Sequence, residues 1–249
     1  MRTGSVRALE DPARALPTGT EKRTQVRAMF DAIAPRYDLV NRVMTGGLDQ
    51  RWRRRTLEAL ALPGGSRLVD LGAGTGDLVR LARRAGHQVV AIDLSWQMLA
   101  TGRAREPFTA AQADAEALPI ADGSVDGVVS GFALRNLRDL GTALAEAARV
   151  LRPGGRLALL EVAAPAPGPL RLGFSLWFDH AVPRIGGLLS DRAAYRYLPA
   201  SVAYLPGEAA LRRLLLDRGF ATVGRRLLHG GLAQLITATR AGLPARAAP

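Results

Sequence analysis

The stretch LVDLGAGTGD, residues 68–77, sets a short apolar run, an acid and three glycines side by side. The run ends in Asp70 and has the length of a buried strand. Gly72, Gly74 and Gly76 then let a ligand or a neighbouring backbone approach the main chain closely. A loop that cradles a triphosphate ends in Gly-Lys-Ser/Thr, but this chain carries no lysine after Lys22. A pyrophosphate loop reads Gly-x-Gly-x-x-Gly, whereas here every second residue is the glycine. Asp70 points the same way, because a carboxylate beside the turn repels phosphate and suits an ammonium group.

Outward from that loop, short apolar runs at 66–72, 87–93, 107–114, 125–131 and 155–162 alternate with helical stretches at 76–85, 95–105 and 139–151. This rhythm predicts a parallel sheet covered by helices. A helix at 206–218 and two closing strands within 221–240 follow, and residues 166–205 read as a helical insertion. Ahead of the sheet, residues 21–60 read as one or two helices with a turn at 44–47. Residues 1–20 and 241–249 lack periodicity and read as disordered tails around one domain at 21–240.

Acids stand at the ends of three successive predicted strands: Asp70, Asp93 and Asp114. Asp93 is placed to accept two ribose hydroxyls and Asp114 to meet a purine amino group. An ammonium, a ribose and an adenine without phosphate describe S-adenosyl-L-methionine, whose carboxylate would meet helix-end N–H groups after Gly74. A strand-end acid can also be a simple helix cap, so it is the ordered set of three that carries weight.

The composition narrows the partners. The 249-residue chain has no cysteine, and its three histidines are far apart, so no dedicated metal site is expected, which leaves open only Mg²⁺ held by carboxylates alone. No window approaches the roughly 20 apolar residues of a membrane span, nor a signal-peptide core, which points to the cytoplasm. A net charge of +12 favours an anionic partner, either nucleic acid or a membrane surface.

Four segments bear a family stamp: VRAMFDAIAPRYDLVNRVMTGGLDQRWRRR (26–55), DLGAGTGD (70–77), the run from ADAEALPIADGS to LEVAAP (113–165), and YRYLPASVAYLPGEAALRRLLLDRGF (195–220). Together they resemble the demethylmenaquinone and 2-polyprenyl-benzoquinol C-methyltransferases over residues 25 to 240. The resemblance implies a class I methyltransferase fold: α/β and Rossmann-like, a mainly parallel seven-stranded sheet with helices on both faces, an N-terminal helical lid and an insertion after the fifth strand. The implied cofactor contacts are Thr75, Asp93 and the pair Asp114–Ala115, to which the loop reading adds Asp70, Gly72, Gly74 and Leu94. Gly131, where some members carry a serine, is a further candidate cofactor contact; many members carry a histidine at Asp49, and the usual SFGLRN is GFALRN here, with Ala133 in place of a glycine.

The implied reaction is C-methylation of a polyprenylated quinol ring, demethylmenaquinol to menaquinol, with another aromatic small molecule as the alternative acceptor. Arg135 is the first candidate to stabilise the phenolate, Asn136 to orient the substrate oxygen, and Asp38 to take the proton. Tyr37, Phe132, Trp177 and Phe178 are candidates for the ring and its apolar tail, with Phe174 and Ile185 in the same insertion. His180 and His229 read as structural. Arginines at 51–55 and 171–196 would hold the protein peripherally at the inner, anionic face of the cell membrane. No appended nucleic-acid-binding unit is recognisable, so nucleic acid is not an expected partner; a homodimer is left open.

Overall fold

The computed structural model describes residues 17–168, 171–173, 176–181, 184, 197 and 200–242. The run before the glycine loop forms β1 (Arg67–Leu71), with every residue after Arg67 buried. β1 pairs in parallel with β2 (Gln88–Asp93) on one side and β4 (Val125–Gly131) on the other. β3 (Ala110–Gln112) extends the sheet beyond β2, and β5 (Leu151–Val162) lies beside β4. β7 (Ala233–Arg240) runs antiparallel to β5 and carries β6 (Phe220–Leu228) at the far edge. The order is β3-β2-β1-β4-β5-β7-β6. It reverses direction between β1 and β4, and a crevice opens beyond the carboxyl ends of strands at such a point.

The helices are α1 (Gly19–Ile33), α2 (Tyr37–Thr45), α3 (Leu48–Glu58), α4 (Asp77–Arg84), α5 (Trp96–Arg105), α6 (Leu140–Val150) and α7 (Glu208–Asp217). Side chains alternate along the strands, so adjacent residues feed opposite layers. Val128, Leu157, Leu159 and Ile236 join Leu144 and Leu215 on one face. Val129, Ala158, Leu160 and Leu235 join Trp52, Leu78 and Val79 on the other. A third cluster holds the amino-terminal helices together: Val26, Met29, Ile33 and Val40, closed by Tyr197 from within the insertion.

Four expectations need correction. The segment 21–60 is three helices rather than one or two, because Pro35 interrupts the first in a 3-10 turn (Ala34–Arg36) and Gly46 and Gly47, with φ of +57° and +77°, break the second. α1 also begins at Gly19, inside the expected tail. β3 is shorter than 107–114: it has β2 as its neighbour, Pro107 offers no N–H, and Phe108 turns inward beneath Gly76. β5 begins earlier than 155, and its register against β4 slips between Val125 and Gly127, where Arg152-Pro153-Gly154-Gly155 bulges outward.

Candidate active site

The glycine loop is shaped by what presses on it. Gly72 has φ +65°, and a Cβ there would lie 2.4 Å from the Cβ of Ala133. On α5, a Cβ at Gly102 would lie 2.1 Å from the carbonyl oxygen of Thr75, so that helix packs directly on the loop backbone. Asp93 ties the loop to the next helix. One carboxylate oxygen accepts the Gly74 N–H at 2.8 Å, the other the Ser95 N–H at 2.8 Å. Burial nevertheless raises Asp93 to about 6, against the pull of those two N–H groups. Ser95 caps α5 by accepting from Met98 N–H and donates its own hydroxyl to Asp31 of α1 at 2.6 Å. Of the N–H groups after Gly74, that of Gly76 is already given to the Ala73 carbonyl.

Asp70 is 1% exposed, and neither carboxylate oxygen has a hydrogen bond. Burial pushes it up to about 8, with the Arg53 guanidinium opposing. Arg53 itself is buried on α3, 3.7 Å from Asp77 and 3.8 Å from Asp49, with its guanidinium 5.4 Å from the centre of the Phe132 ring. Burial works against ionised Asp77, yet Arg53 and Arg80 hold it below the usual carboxylate range. This arginine also accounts for the glycine at 131. A Cβ there would stand 2.8 Å from Arg53 Nη1 and 3.1 Å from Leu78 Cδ1, so a side chain at 131 would have to displace the guanidinium.

The crevice between β1 and β4 is lined by Gly72, Gly74, Asp93, Leu94, Asp114, Ala115, Gly131, Phe132 and Asn136, and covered by Tyr37. Ten expected site residues therefore meet in one cleft. Asp114 pairs with Arg23 at 2.6 Å. Phe132 holds φ +63°, a strained conformation for a bulky residue and of the kind concentrated at functional sites. Asn136 gives its amide to the Phe132 carbonyl at 3.3 Å, while its buried Oδ1 has no partner. The Tyr37 phenol is held above its ordinary range by burial, with Arg53 and then Arg135 among the opposing charges.

Other expected residues lie behind the cleft. Asp38 accepts the Thr75 hydroxyl at 2.6 Å and pairs with Arg105, so both its oxygens are engaged in binding α2 to the loop. Thr75 is thereby turned toward the lid. Arg135 is 6% exposed and pairs with Glu161, which is fully buried. Its Nε also donates to the Ser201 hydroxyl at 3.1 Å. Trp177 is half-exposed and donates to the Met44 carbonyl at 2.9 Å. The side chains of Phe174, Phe178 and Ile185 lie outside the described residues. His229 accepts from the Trp52 indole at 2.7 Å, a packing role.

The sequence reading missed the lid's own contribution. Arg23, Arg27 and Phe30 of α1 line the cleft, and Lys22 donates to the Leu137 carbonyl at 2.6 Å beneath Tyr204, whose ring centre is 3.6 Å away. The signal was there in the i, i+4, i+7 spacing of 23, 27 and 30, which puts them on one helix face.

The donor set suits S-adenosyl-L-methionine: an unbonded carboxylate behind the loop for an ammonium, strand-end acids for ribose and adenine, and a glycine cradle that side chains would fill. Fold and cleft define a class I S-adenosylmethionine-dependent methyltransferase. Solved structures agree on the fold: a methyltransferase bound to its Trm112 activator from Haloferax volcanii (TM-score 0.60, 18% identity, 86% of this chain and all of that one) and phosphoethanolamine N-methyltransferase 2 of Haemonchus contortus (TM-score 0.55, 16% identity, 75% and 52%). The chain belongs to the ubiE/COQ5 methyltransferase family, whose model matches residues 18–240. It is 42% identical over 226 residues to the ubiquinone/menaquinone biosynthesis C-methyltransferase UbiE of Syntrophotalea carbinolica, covering 86% of this chain and 93% of that one. It is 41% identical over 215 residues to the demethylmenaquinone methyltransferase of Thermus thermophilus, covering 83% and 97%. The enzyme is an S-adenosyl-L-methionine-dependent C-methyltransferase.

Proposed function

We propose that the enzyme methylates a ring carbon of a reduced polyprenyl quinol, demethylmenaquinol to menaquinol, at the surface of an anionic membrane. The observation that carries this reading is the buried, unbonded Oδ1 of Asn136 in the cleft beside the strained Phe132. It is an acceptor awaiting a hydroxyl, and a quinol offers one next to the carbon to be methylated. When bound, the cofactor supplies an electrophilic methyl group, and the ring carbon that takes it sheds a proton.

The chain's residues provide position and charge. Asp70 faces the ammonium, Asp93 the ribose hydroxyls and Asp114 the adenine amino group, between Leu94 and Ala115. Tyr37 and Phe132 bracket the acceptor ring. Arg135, paired with Glu161 behind the cleft, is a fixed dipole whose positive end favours the phenolate, as it favours the ionised forms of Tyr37 and Tyr197. With both oxygens of Asp38 engaged, the proton leaves to water and Asp38 keeps the lid on the loop.

The test is methyl transfer from labelled cofactor to a reduced short-chain demethylmenaquinol, with a matching benzoquinol as the second arm. Label in the ring of the first, and a fall of about 10²-fold in kcat for Asn136→Ala with cofactor affinity retained, is the expected result. Cofactor binding without transfer to either quinol overturns the assignment, and preference for the benzoquinol overturns the choice of ring.

A further inference from the structure

We propose that Arg53 is the cation that receives the methionine carboxylate of S-adenosyl-L-methionine, beside Asp70 as the acid that receives its ammonium. The inference rests on the cofactor and not on the acceptor ring, so it stands whichever quinol is methylated.

The amino-acid end of the cofactor carries an ammonium and a carboxylate on one carbon, so its subsite calls for an acid and a cation side by side. Asp70 supplies the acid, buried and with neither oxygen hydrogen-bonded. The loop has few donors left for the other half. The Gly74 N–H is given to Asp93 and the Gly76 N–H to the Ala73 carbonyl. Arg53 comes to the same place from α3. Its Nη1 lies 2.8 Å from where a Cβ of Gly131 would be, and its guanidinium lies over the Phe132 ring. Gly131 and Phe132 both line the cleft. Gly131 is two residues beyond Val129, which pairs with Asp70 across β1 and β4. Arg53 is also the strongest charge acting on Asp70.

In the run Arg51–Arg55, Arg51, Arg54 and Arg55 are exposed, and Arg53 is the arginine turned inward. Two acids orient it without using it up. Its Nε is 3.7 Å from Asp77 and 3.8 Å from Asp49, too far for a hydrogen bond, and this buried N–H donates to nothing among the described residues. Both acids have nearer partners. Asp77 accepts from Arg80 at 2.6 Å and from Gln50 at 3.0 Å, with Arg42 at 3.7 Å. Asp49 accepts from the Thr45 hydroxyl and from Gln50, each at 3.0 Å. A buried guanidinium nitrogen without an acceptor is costly, and a carboxylate matches its fork with two oxygens.

The experiment is calorimetric binding of three probes to the full chain, as wild type, Arg53→Gln and Arg53→Lys. S-adenosyl-L-methionine carries both charges, decarboxylated S-adenosylmethionine lacks only the carboxylate, and 5′-methylthioadenosine lacks both. In Arg53→Gln, affinity for the first is expected to fall about 10- to 100-fold, the worth of one charged hydrogen bond, while the other two stay within about twofold of wild type. Arg53→Lys keeps a cation without the fork, and should show a smaller loss on that same probe alone. If Arg53→Gln does not fold once Asp77 and Asp49 lose their neighbour, Arg53→Lys carries the comparison. An equal loss on all three probes means that Arg53 only holds α3 against α4, and overturns the inference. So does unchanged affinity for S-adenosyl-L-methionine, whatever happens to turnover; loss of methyl transfer alone places the cation at the acceptor ring instead. No quinol enters the binding experiment, so a failure of the acceptor reading leaves its outcome untouched.

Discussion

Gly72 and Ala133 touch across the mouth of the cleft, and their contact can be measured. A Cβ at residue 72 would stand 2.4 Å from Ala133 Cβ, where two carbons settle at about 3.5–4.0 Å, so Gly72→Ala forces a displacement of more than about 1 Å. The residue also sits at φ +65°, a left-handed conformation that costs a side-chain-bearing residue about 1–2 kcal/mol. Overpacking adds about 1–3 kcal/mol. Ala133→Gly removes the steric part and leaves the backbone part. In a four-protein cycle followed by urea unfolding, Gly72→Ala should therefore destabilise by about 2–5 kcal/mol in the native background. In the Ala133→Gly background it should cost only the left-handed term, giving a coupling of about 1–3 kcal/mol. Calorimetric affinity for S-adenosyl-L-methionine should fall at least tenfold in Gly72→Ala and recover in the double variant. Additivity within about 0.5 kcal/mol would refute the steric reasoning.

Asp70, pushed up to about 8 by burial, is mostly protonated at neutral pH, so binding an ammonium beside it should release a proton. Calorimetry of cofactor binding in buffers of different ionisation enthalpy reads that proton, and Asp70→Asn should lose it. Because this acid holds its proton in the fold and not when unfolded, it lowers stability as pH rises from about 4 to about 8. Arg135→Ala leaves the fully buried Glu161 without its cation and should cost about 3–5 kcal/mol, so any loss of activity has to be compared with Arg135→Met/Glu161→Leu, which should recover much of the stability. Lys22, lowered to about 8 by burial, loses its proton earlier in the fold than in the unfolded chain. Wild type should gain stability relative to Lys22→Met between pH 8 and 10.5, and thermal melts across that window check the sign.

The rhythm of strands and helices from 66 to 162 was legible because each element carries its own period. The alternation of Val128 with Val129, or Leu159 with Leu160, already assigns them to opposite layers. The helix count before the sheet was less legible: Pro35 ends α1 in a turn that its apolar pattern crosses without interruption. The even glycine spacing and the acids at three strand ends were likewise local, and they identified the cofactor's chemistry. Asp93, Asp114 and Asn136 do meet in the cleft.

Pairings between distant segments were not legible. An arginine in FALRN reads as a free cation, and only its contact with Glu161, twenty-six residues on, makes it a fixed one. Asp38 reads as a proton acceptor until Thr75 and Arg105 occupy it. The glycine at 131 reads as a lost contact, and only the fold shows the tip of Arg53, from a helix far upstream, lying 2.8 Å from where its Cβ would be. By itself, the sequence determined the elements, the cofactor loop and the residue types at the strand ends, since these follow from local periodicity and backbone freedom. The tertiary structure alone decided which charges face the cleft and which are spent on each other. That depends on desolvation and on distances of a few ångströms between chain segments that no local pattern encodes.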